Sequence, residues 1–153
     1  MADNEKKYKY FTIAELEKSD TARAYKIDNH IPDSLLPNAD KLIRELLDPV
    51  REKWGHAIRV NSGYRCPALN AKLKNASKTS AHMRALAADL NAGSPKANKE
   101  LYQMIRSMVL HKEIKLDQCI NECRGGKAWQ WIHVGLKEDP KAYRNQFFSL
   151  ANS

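Results

Sequence analysis

The sequence lacks any hydrophobic run long enough to cross a membrane. A helix that spans a bilayer needs about 20 consecutive apolar residues, and every apolar run in this chain is much shorter. The first residues, Met1 to Lys7, are polar and lead into no apolar segment, so we expect no secretory signal peptide. We therefore expect a cytoplasmic protein that does not insert into membranes and needs a separate route of release to reach a substrate outside the cell.

Cysteine is scarce, and its spacing fits neither a disulfide framework nor a structural zinc site. The three cysteines are Cys66, Cys119 and Cys123. An odd count without a secretion signal argues against disulfides. Cys119 and Cys123 lie four residues apart, but no second pair of Cys or His stands nearby to complete a tetrahedral site. We therefore expect reduced thiols that serve as packing residues.

The chain also lacks repeats, low-complexity segments and long basic tracts. Its 153 residues suffice for one domain, which we expect over residues 1–153, with a core at about 11–136 and a short tail at 137–153. The formal net charge of +8 favours polyanions such as bacterial wall polymers. The basic residues are scattered, however, and the densest group is only Lys72, Lys74 and Lys78. We interpret them as a solvated surface and expect a monomer that binds no specific nucleic acid.

Hydrophobic periodicity predicts both helices and strands. Thr12 and Glu15 have the spacing of a capping box at a helix start. A long helix is predicted over 39–54, where Pro49 should kink or split it and Gly55 should end it. Further helices are expected at 67–74, 98–111 and 141–150, and strands at 57–61, 86–90, 116–122 and 129–136, the last two forming a hairpin. The expected class is α+β, a small antiparallel sheet with flanking helices.

Two histidines and one aspartate lie in short apolar runs, where such groups are costly unless they are paired. His82 precedes the predicted strand that contains Asp89, and His133 lies on the last predicted strand, whose alternation places Trp129 and Trp131 on the same face. A zinc ion would pair with all three ligands and leave a fourth position for water, as in catalytic zinc sites. The spacing alone is not diagnostic, so ordinary histidines with Asp89 as a turn cap are an equal alternative.

Five separated motifs occur in the order seen in one peptidase family. They are Ser62-Gly63-Tyr64-Arg65-Cys66-Pro67-Ala68-Leu69-Asn70, Ser80-Ala81-His82, Ala87-Ala88-Asp89-Leu90, Asp117-Gln118-Cys119-Ile120-Asn121-Glu122 and Trp131-Ile132-His133-Val134. From about Phe11 to Leu136, the chain resembles the zinc D-alanyl-D-alanine carboxypeptidases and the phage L-alanyl-D-glutamate endopeptidase endolysins, above all their small prophage-type members. The resemblance implies a Hedgehog/DD-peptidase-like fold with a zinc site on the sheet.

The resemblance also implies a role for each matching position. In the family pattern Ser-x-His-x-x-Gly-x-Ala-x-Asp, the His and the Asp bind zinc, and these are His82 and Asp89 here. The late Trp-x-His supplies the third ligand, which is His133. The zinc ion is the one cofactor that the resemblance implies, and it would activate a water molecule and polarise the amide carbonyl of the substrate.

Four further positions are candidate contacts for the substrate. The Arg of the Ser-Gly-Tyr-Arg motif, here Arg65, holds the polarised carbonyl or the developing oxyanion in the family, where its fixed positive charge is useful. The Ser of Ser-x-His, here Ser80, lines the substrate pocket in the family. Tyr64 and Trp131 are the other two candidates, and for both of them packing in the core is the alternative.

The chain departs from the family pattern at two positions. Ala85 replaces the glycine of the pattern, which has a cost if the turn needs a positive φ. Gln130 stands where many members carry the acidic general base, three residues before the last histidine, and an amide cannot take a proton. We assign the base to Glu122, with Asp117 as the second choice on the opposite strand face. The alternative for Glu122 is a salt-bridged residue at a strand end.

Three functions compete at this point. The first is a zinc peptidase that cleaves peptide stems of bacterial peptidoglycan, at a terminal D-Ala-D-Ala bond or at an internal L-Ala-D-Glu bond, after release as a phage lysin. The second is a catalytically inactive wall-binding or virion structural module of the same fold, which Gln130 keeps open. The third is a basic nucleic-acid-binding domain, which ranks last because the sequence contains no recognised binding motif.

Overall fold

The computed structural model describes residues 8–73, 77 and 79–152, so Lys74 and Lys78 lie outside the described residues. In this part of the chain, we find no helix with the length and apolar character needed to cross a bilayer. The first two helices are short: α1 spans Ile13–Glu17 and α2 spans Asp20–Ala24. The predicted capping box begins α1, since Thr12 Oγ1 accepts the N–H of Glu15 and the Glu15 carboxylate accepts the N–H of Thr12.

A continuous helix over residues 36–54 forms one side of the core. It consists of α3 (Leu36–Leu42), a π-helical segment (Ile43–Leu47) and α4 (Asp48–Trp54), and it follows a 3-10 turn at Asp33–Leu35. Pro49 lacks an N–H, and in a regular α-helix its ring would clash with the carbonyl of residue 45. The π segment lies directly before this proline and widens the turn there, so the helix continues to its predicted end at Gly55.

The remaining elements build a five-stranded sheet with flanking helices, which confirms the α+β class. The strands are β1 (Arg59–Ser62), β2 (Ala87–Asn91), β3 (Gln118–Arg124), β4 (Lys127–Gly135) and β5 (Gln146–Asn152). Their order is β1-β2-β4-β3-β5, with β3 and β4 as the predicted hairpin and every pair antiparallel except β3 with β5. Helix α5 (Pro67–Lys72) follows β1, and α6 (Pro95–Leu110) follows β2. Two 3-10 turns lie at Ala81–Arg84 and Pro140–Ala142.

The core fills the space between the long helix, α6 and one face of the sheet. Alternation on the strands gives this face its apolar side chains and leaves the opposite face for polar ones. Leu90 of β2 and Ile132 and Val134 of β4 point into the core, together with the buried helical residues Leu42, Ile43, Leu46, Leu101 and Ile105. Asp89 and His133 alternate with these apolar residues along β2 and β4, so their side chains lie on the opposite face of the sheet.

The C-terminal segment forms a strand and not the helix predicted over 141–150. Strand β5 pairs in parallel with β3 along its whole length, from Gln118 opposite Gln146 to Arg124 opposite Asn152. Without β5, the outer edge of β3 would leave its backbone groups unpaired, and pairing with β5 satisfies them. Adjacent aromatic residues at Phe147 and Phe148 also favour a strand. The helix prediction failed because it considered the local sequence without this long-range partner.

Trp129 does not share the face of His133, in contrast to the prediction from strand alternation. Its φ is +62°, and the register between β3 and β4 shifts beside it, as at a β-bulge. The indole ring packs against Tyr102 of α6, with ring centroids 5.1 Å apart, and Asn121 Oδ1 accepts the Trp129 N–H at 2.8 Å. The bulge thus moves Trp129 to the core face, whereas Trp131 stays on the face of His133.

Candidate metal centre

The three predicted metal ligands meet on the polar face of the sheet. Asp89 of β2 lies directly opposite His133 of β4 in the antiparallel ladder, and His82 comes from the 3-10 turn that precedes β2. His133 Nδ1 is 3.0 Å from Asp89 Oδ1, and His82 Nε2 is 3.3 Å from the same oxygen. One potential ligand atom of each residue lies within 4.8 Å of the other two.

This donor set fits zinc. Zinc accepts two imidazole nitrogens and a carboxylate oxygen in a tetrahedral site, and ligand atoms about 2 Å from one ion lie roughly 3.4 Å apart. The contacts of the Asp89 oxygen with the two histidines are close to that spacing. His82 Nδ1 lies 2.7 Å from the carbonyl oxygen of Gly63, which can only accept, so this nitrogen carries the proton. The lone pair of Nε2 is therefore left for the metal.

Burial and the two histidines together set the electrostatics of the centre. Burial lowers the pKa of His82, although the charge of Asp89 opposes this effect. Burial alone would raise the pKa of Asp89, but the neighbouring side chains of His82 and His133 outweigh this effect. The pKa of Asp89 is therefore held well below its usual value, and the carboxylate stays ionised as a metal ligand requires.

Two residues beside the ligands, Gly63 and Ala85, have backbone positions that restrict which side chain can stand there. A Cβ at Gly63 would lie 2.7 Å from the carbonyl oxygen of Leu16 in α1, so this loop can approach α1 only with glycine. Ala85 adopts the left-handed conformation, with φ 58° and ψ 32°, so the glycine of the family pattern is replaced where a positive φ is required. This conformation costs an alanine roughly 1–2 kcal/mol.

Arg65 lies next to the metal ligands and is tied to the same turn. Its backbone N–H donates to the His82 carbonyl oxygen at 3.0 Å, and its Nη2 donates to Ser80 Oγ at 3.2 Å. Ser80 Oγ also accepts the N–H of His82. Burial lowers the pKa of Arg65, while the charges of Asp89 and Glu122 oppose that effect. Its Nε is buried without a partner among the described residues.

A cavity of about 890 Å³ opens over the three ligands. Its wall includes seven of the eight predicted site residues, all except Tyr64. They are Arg65, Ser80, His82, Asp89, Glu122, Trp131 and His133. Glu122 is 7% exposed and lies opposite Trp131 in the ladder between β3 and β4. The cavity therefore collects cationic, acidic and aromatic side chains around one candidate metal position.

Tyr64 is the predicted substrate contact that the structure places elsewhere. Its side chain is 4% exposed and belongs to the hydrophobic core, and it is not part of the cavity wall. Its N–H donates to Leu16 O at 2.7 Å, so the close approach at Gly63 also draws the Tyr64 side chain inward. The substrate-contact assignment of Tyr64 is therefore corrected to a packing role.

The surroundings of Glu122 differ from those of Gln130, which stands at the base position of the family pattern, and from those of Asp117, the second choice for the base. The Gln130 side chain donates to the Ala128 carbonyl oxygen and is not part of the cavity wall. Asp117 does reach the cavity, but both of its carboxylate oxygens are occupied by the guanidinium of Arg144, each at 2.9 Å. Asp117 is therefore committed to a salt bridge.

The segment after β4 adds a wall of the cavity that sequence reasoning missed. This wall consists of Leu136, Lys137, Glu138, Asp139, Ala142, Arg144 and Leu150. Arg84 forms a salt bridge with Glu138, and Lys41 Nζ donates to the carbonyl oxygens of Lys137 and Glu138. Asn29, also missed, holds the loop before α5, because its side chain bonds the backbone of Glu17, Tyr64 and Cys66. Long-range contacts of this kind leave no local signal in the sequence.

The comparison with family models identifies a relationship over most of the chain. The family described as Peptidase M15 matches residues 9–134, which include all three candidate ligands, Arg65 and Glu122. The comparison with curated proteins gives no match. Because the matched region covers far more than half of the sequence and contains the assembled centre, this chain belongs to the Peptidase M15 family.

Proposed function

We propose that the protein is a zinc-dependent peptidase that hydrolyses amide bonds in the peptide stems of bacterial peptidoglycan. The observation that carries the proposal is the approach of His82, Asp89 and His133 to within 4.8 Å at the base of a large cavity. Membership of a peptidase family supports the reaction class. Arg65 and Glu122 in the same cavity supply the two further groups that amide hydrolysis requires.

Glu122 is the proposed general base and acid. A zinc ion bound by His82, Asp89 and His133 would lower the pKa of a bound water and polarise the amide carbonyl. Glu122 accepts the proton of the attacking water and passes it to the nitrogen of the leaving amine as the carbon–nitrogen bond breaks. Its side chain is 7% exposed and forms part of the cavity wall, next to the metal ligands.

Arg65 is the proposed group that binds the carbonyl oxygen of the cleaved amide. Negative charge develops on this oxygen during attack, and a fixed guanidinium stabilises it more than it stabilises the neutral carbonyl. Ser80 holds one end of the guanidinium through its hydroxyl, which limits the motion of Arg65 before the substrate arrives. Ser80 thus acts as a positioning residue in addition to lining the cavity.

A catalytically inactive wall-binding or virion structural module is the second candidate, because Gln130 replaces the acidic residue of the family pattern. The surroundings of Gln130 weaken this candidate, since its side chain is not part of the cavity wall, whereas the Glu122 carboxylate is. The bond that is cleaved, D-Ala-D-Ala or L-Ala-D-Glu, is tested directly by the products released from defined peptides.

The metal assignment predicts one zinc ion per chain in the wild type and none in His133→Ala. The variant removes one of three ligands, and a two-ligand site holds zinc far more weakly. Metal analysis of the purified proteins checks this result, with His111→Ala as the matched control because His111 is exposed at the end of α6. Equal zinc content in the wild type and His133→Ala would contradict the site.

The catalytic assignment predicts that Glu122→Gln retains zinc but loses activity by a factor of about 10² to 10⁴. The amide keeps the shape of the side chain but cannot move the proton. The measurement is the release of amino groups from purified sacculi, with and without a chelator. Glu113→Gln is the control, since Glu113 forms an ion pair with Lys53 outside the cavity. Zinc binding without amine release by the wild type would support the inactive module.

A further inference from the structure

A row of side chains leads away from the metal centre along the polar face of β3 and β4. His133 lies opposite Ile120, and Trp131, two residues earlier on β4, lies opposite Glu122. Same-face residues on a strand are about 6.6 Å apart, so Trp131 is one such step from the metal ligand. Leu150 of β5 lies beside Glu122 and continues the row to the sheet edge.

Arg124 ends this row on β3. Its guanidinium lies over the indole ring of Trp131, with Cζ 5.7 Å from the ring centroid, and its side chain is part of the cavity wall. Stacking on an aromatic face orients a guanidinium plane while its N–H edges remain able to donate. The contact with Trp131 therefore holds the positive charge of Arg124 beside this ring, and Trp131 is one same-face step along β4 from His133.

Arg124 differs from the other arginines of the cavity wall in the partners of its guanidinium. Arg84 is paired with Glu138, and Arg144 is paired with Asp117. Arg65 is bonded to Ser80 and lies beside the metal ligands. Arg124 forms no salt bridge within 4 Å with any carboxylate of the described ranges, and it is exposed to the cavity. Among the described residues, no carboxylate therefore competes with an anionic ligand for its donors.

We infer that Arg124, stacked on Trp131, is a specificity-determining residue that binds a carboxylate of the substrate within about two residues of the cleaved bond. A carboxylate presents two oxygens in one plane, which match the donor pairs of a guanidinium. Trp131 and Leu150 supply apolar surface for a small side chain beside that carboxylate. The inference rests on the proposed function, since it names the group of the stem peptide that this end of the cavity takes.

Two sources could supply this carboxylate in a peptidoglycan stem. One is the free C-terminal carboxylate of a terminal D-Ala, and the other is the free α-carboxylate of a D-Glu linked through its side chain. Both are carboxylates next to a candidate cleaved bond, and they differ in which amide lies over the metal ligands. Amidation of one or the other removes its charge with little change in size, so it distinguishes the two sources.

The test measures kcat and KM for a stem pentapeptide with both carboxylates free, for its C-terminal amide and for its D-isoglutamine form. For Arg124→Gln, we expect KM for the free peptide to rise about 10- to 100-fold while kcat changes by less than about twofold. One of the two amidations should cause a similar loss in the wild type and none in Arg124→Gln, because the interaction is already absent. Lys127→Gln is the matched control, as Lys127 is exposed opposite Arg124 but outside the cavity wall.

Several outcomes would overturn the inference. An unchanged KM in Arg124→Gln would do so. An increase in KM caused by Arg124→Gln that is equal for the free peptide and for both amidated peptides would also do so. If the wild type cleaves none of the peptides, the proposed function fails, and calorimetric titration of the free peptide decides the inference separately. A weaker Kd in Arg124→Gln that amidation reproduces in the wild type would then support the carboxylate site, and absent or equal binding would overturn it.

Discussion

The orientation of His82 depends on a single backbone carbonyl. Gly63 O accepts the Nδ1 proton of His82 at 2.7 Å and thereby leaves Nε2 for the metal. The loop that presents this carbonyl rests on Leu16 of α1 so closely that a Cβ on Gly63 would lie 2.7–2.8 Å from the Leu16 backbone. The metal centre is therefore coupled to α1, although no residue of α1 belongs to it.

This coupling predicts that Gly63→Ala impairs both stability and metal binding. Relief of the clash must shift the loop or α1, which we expect to cost about 1–3 kcal/mol of the free energy of unfolding. The displaced carbonyl should also weaken zinc affinity by about 10- to 100-fold. Urea unfolding and competition with a chelator measure the two effects, with the exposed Asn61→Ala on β1 as the control. Loss of stability at unchanged zinc affinity would contradict the role of this carbonyl.

At single positions, the sequence predicted the candidate metal ligands, but it did not predict the residues whose hydrogen bonds hold the surrounding loops. His82, Asp89 and His133 were predicted as ligands because each belongs to a motif with a fixed residue type and order, and the structure brings these three side chains together. The supporting contacts of Gly63 and Asn29 depend on backbone atoms that lie far away in the sequence. Tyr64 was misassigned because a motif position does not state which way a side chain points.

At the scale of whole elements, the C-terminal segment is fastened to the sheet beside the cavity. Arg144, just before β5, donates from its backbone N–H, Nε and Nη2 to the carboxylate of Asp117, just before β3. Asn145 adds two hydrogen bonds to the backbone of Leu116. Its N–H donates to Leu116 O, and its side-chain Oδ1 accepts the Leu116 N–H. These contacts fix the start of β5 and with it the outer wall of the cavity.

This clamp predicts that Asp117→Asn destabilises the protein at neutral pH and much less in acid. Burial alone would raise the pKa of Asp117, but the hydrogen bonds and charge of Arg144 hold it below its usual value. A lowered folded-state pKa contributes stability above the unfolded pKa of about 3.9, and this contribution is lost as the pH falls through the folded-state pKa. We expect a loss of about 1–3 kcal/mol at pH 7.

The measurement is urea unfolding of the wild type and Asp117→Asn over a series of pH values. The difference in the free energy of unfolding should narrow steadily below about pH 4. Asp33→Asn removes the same charge at an exposed position and serves as the control. A difference that stays constant from neutral to acidic pH would show that Asp117 acts through its shape and not through its charge.

Elements were predictable where the local pattern determines them. The long helix and the hairpin of β3 and β4 follow from apolar periodicity and from the Gly125-Gly126 turn, and both are present. Strand β5 was predicted as a helix because its pairing with β3 is a long-range contact. Trp129 was placed on the wrong face because strict alternation fails at a residue with positive φ.

The whole molecule carries a net charge of +8, and part of this charge lies far from the cavity. Lys96 and Lys99 are exposed on α6, which packs against the opposite face of the sheet from the metal centre. Charge at such a distance cannot act on a substrate in the cavity, because salt screens exposed charges over about 10 Å at 0.1 M. It can attract the whole protein to an extended anionic polymer.

The proposed action on a bacterial wall therefore predicts a strong effect of salt on sacculi and a weak effect on small peptides. Raising the salt concentration from about 0.05 to about 0.5 M shortens the screening distance about threefold. We expect amine release from anionic sacculi to fall several-fold, whereas kcat for a soluble stem peptide should change little because chemistry in the cavity is less screened. The double variant Lys96→Gln and Lys99→Gln should reproduce part of the loss at low salt and leave the peptide reaction unchanged. If salt affected both substrates equally, the basic surface would have no part in bringing the enzyme to the wall.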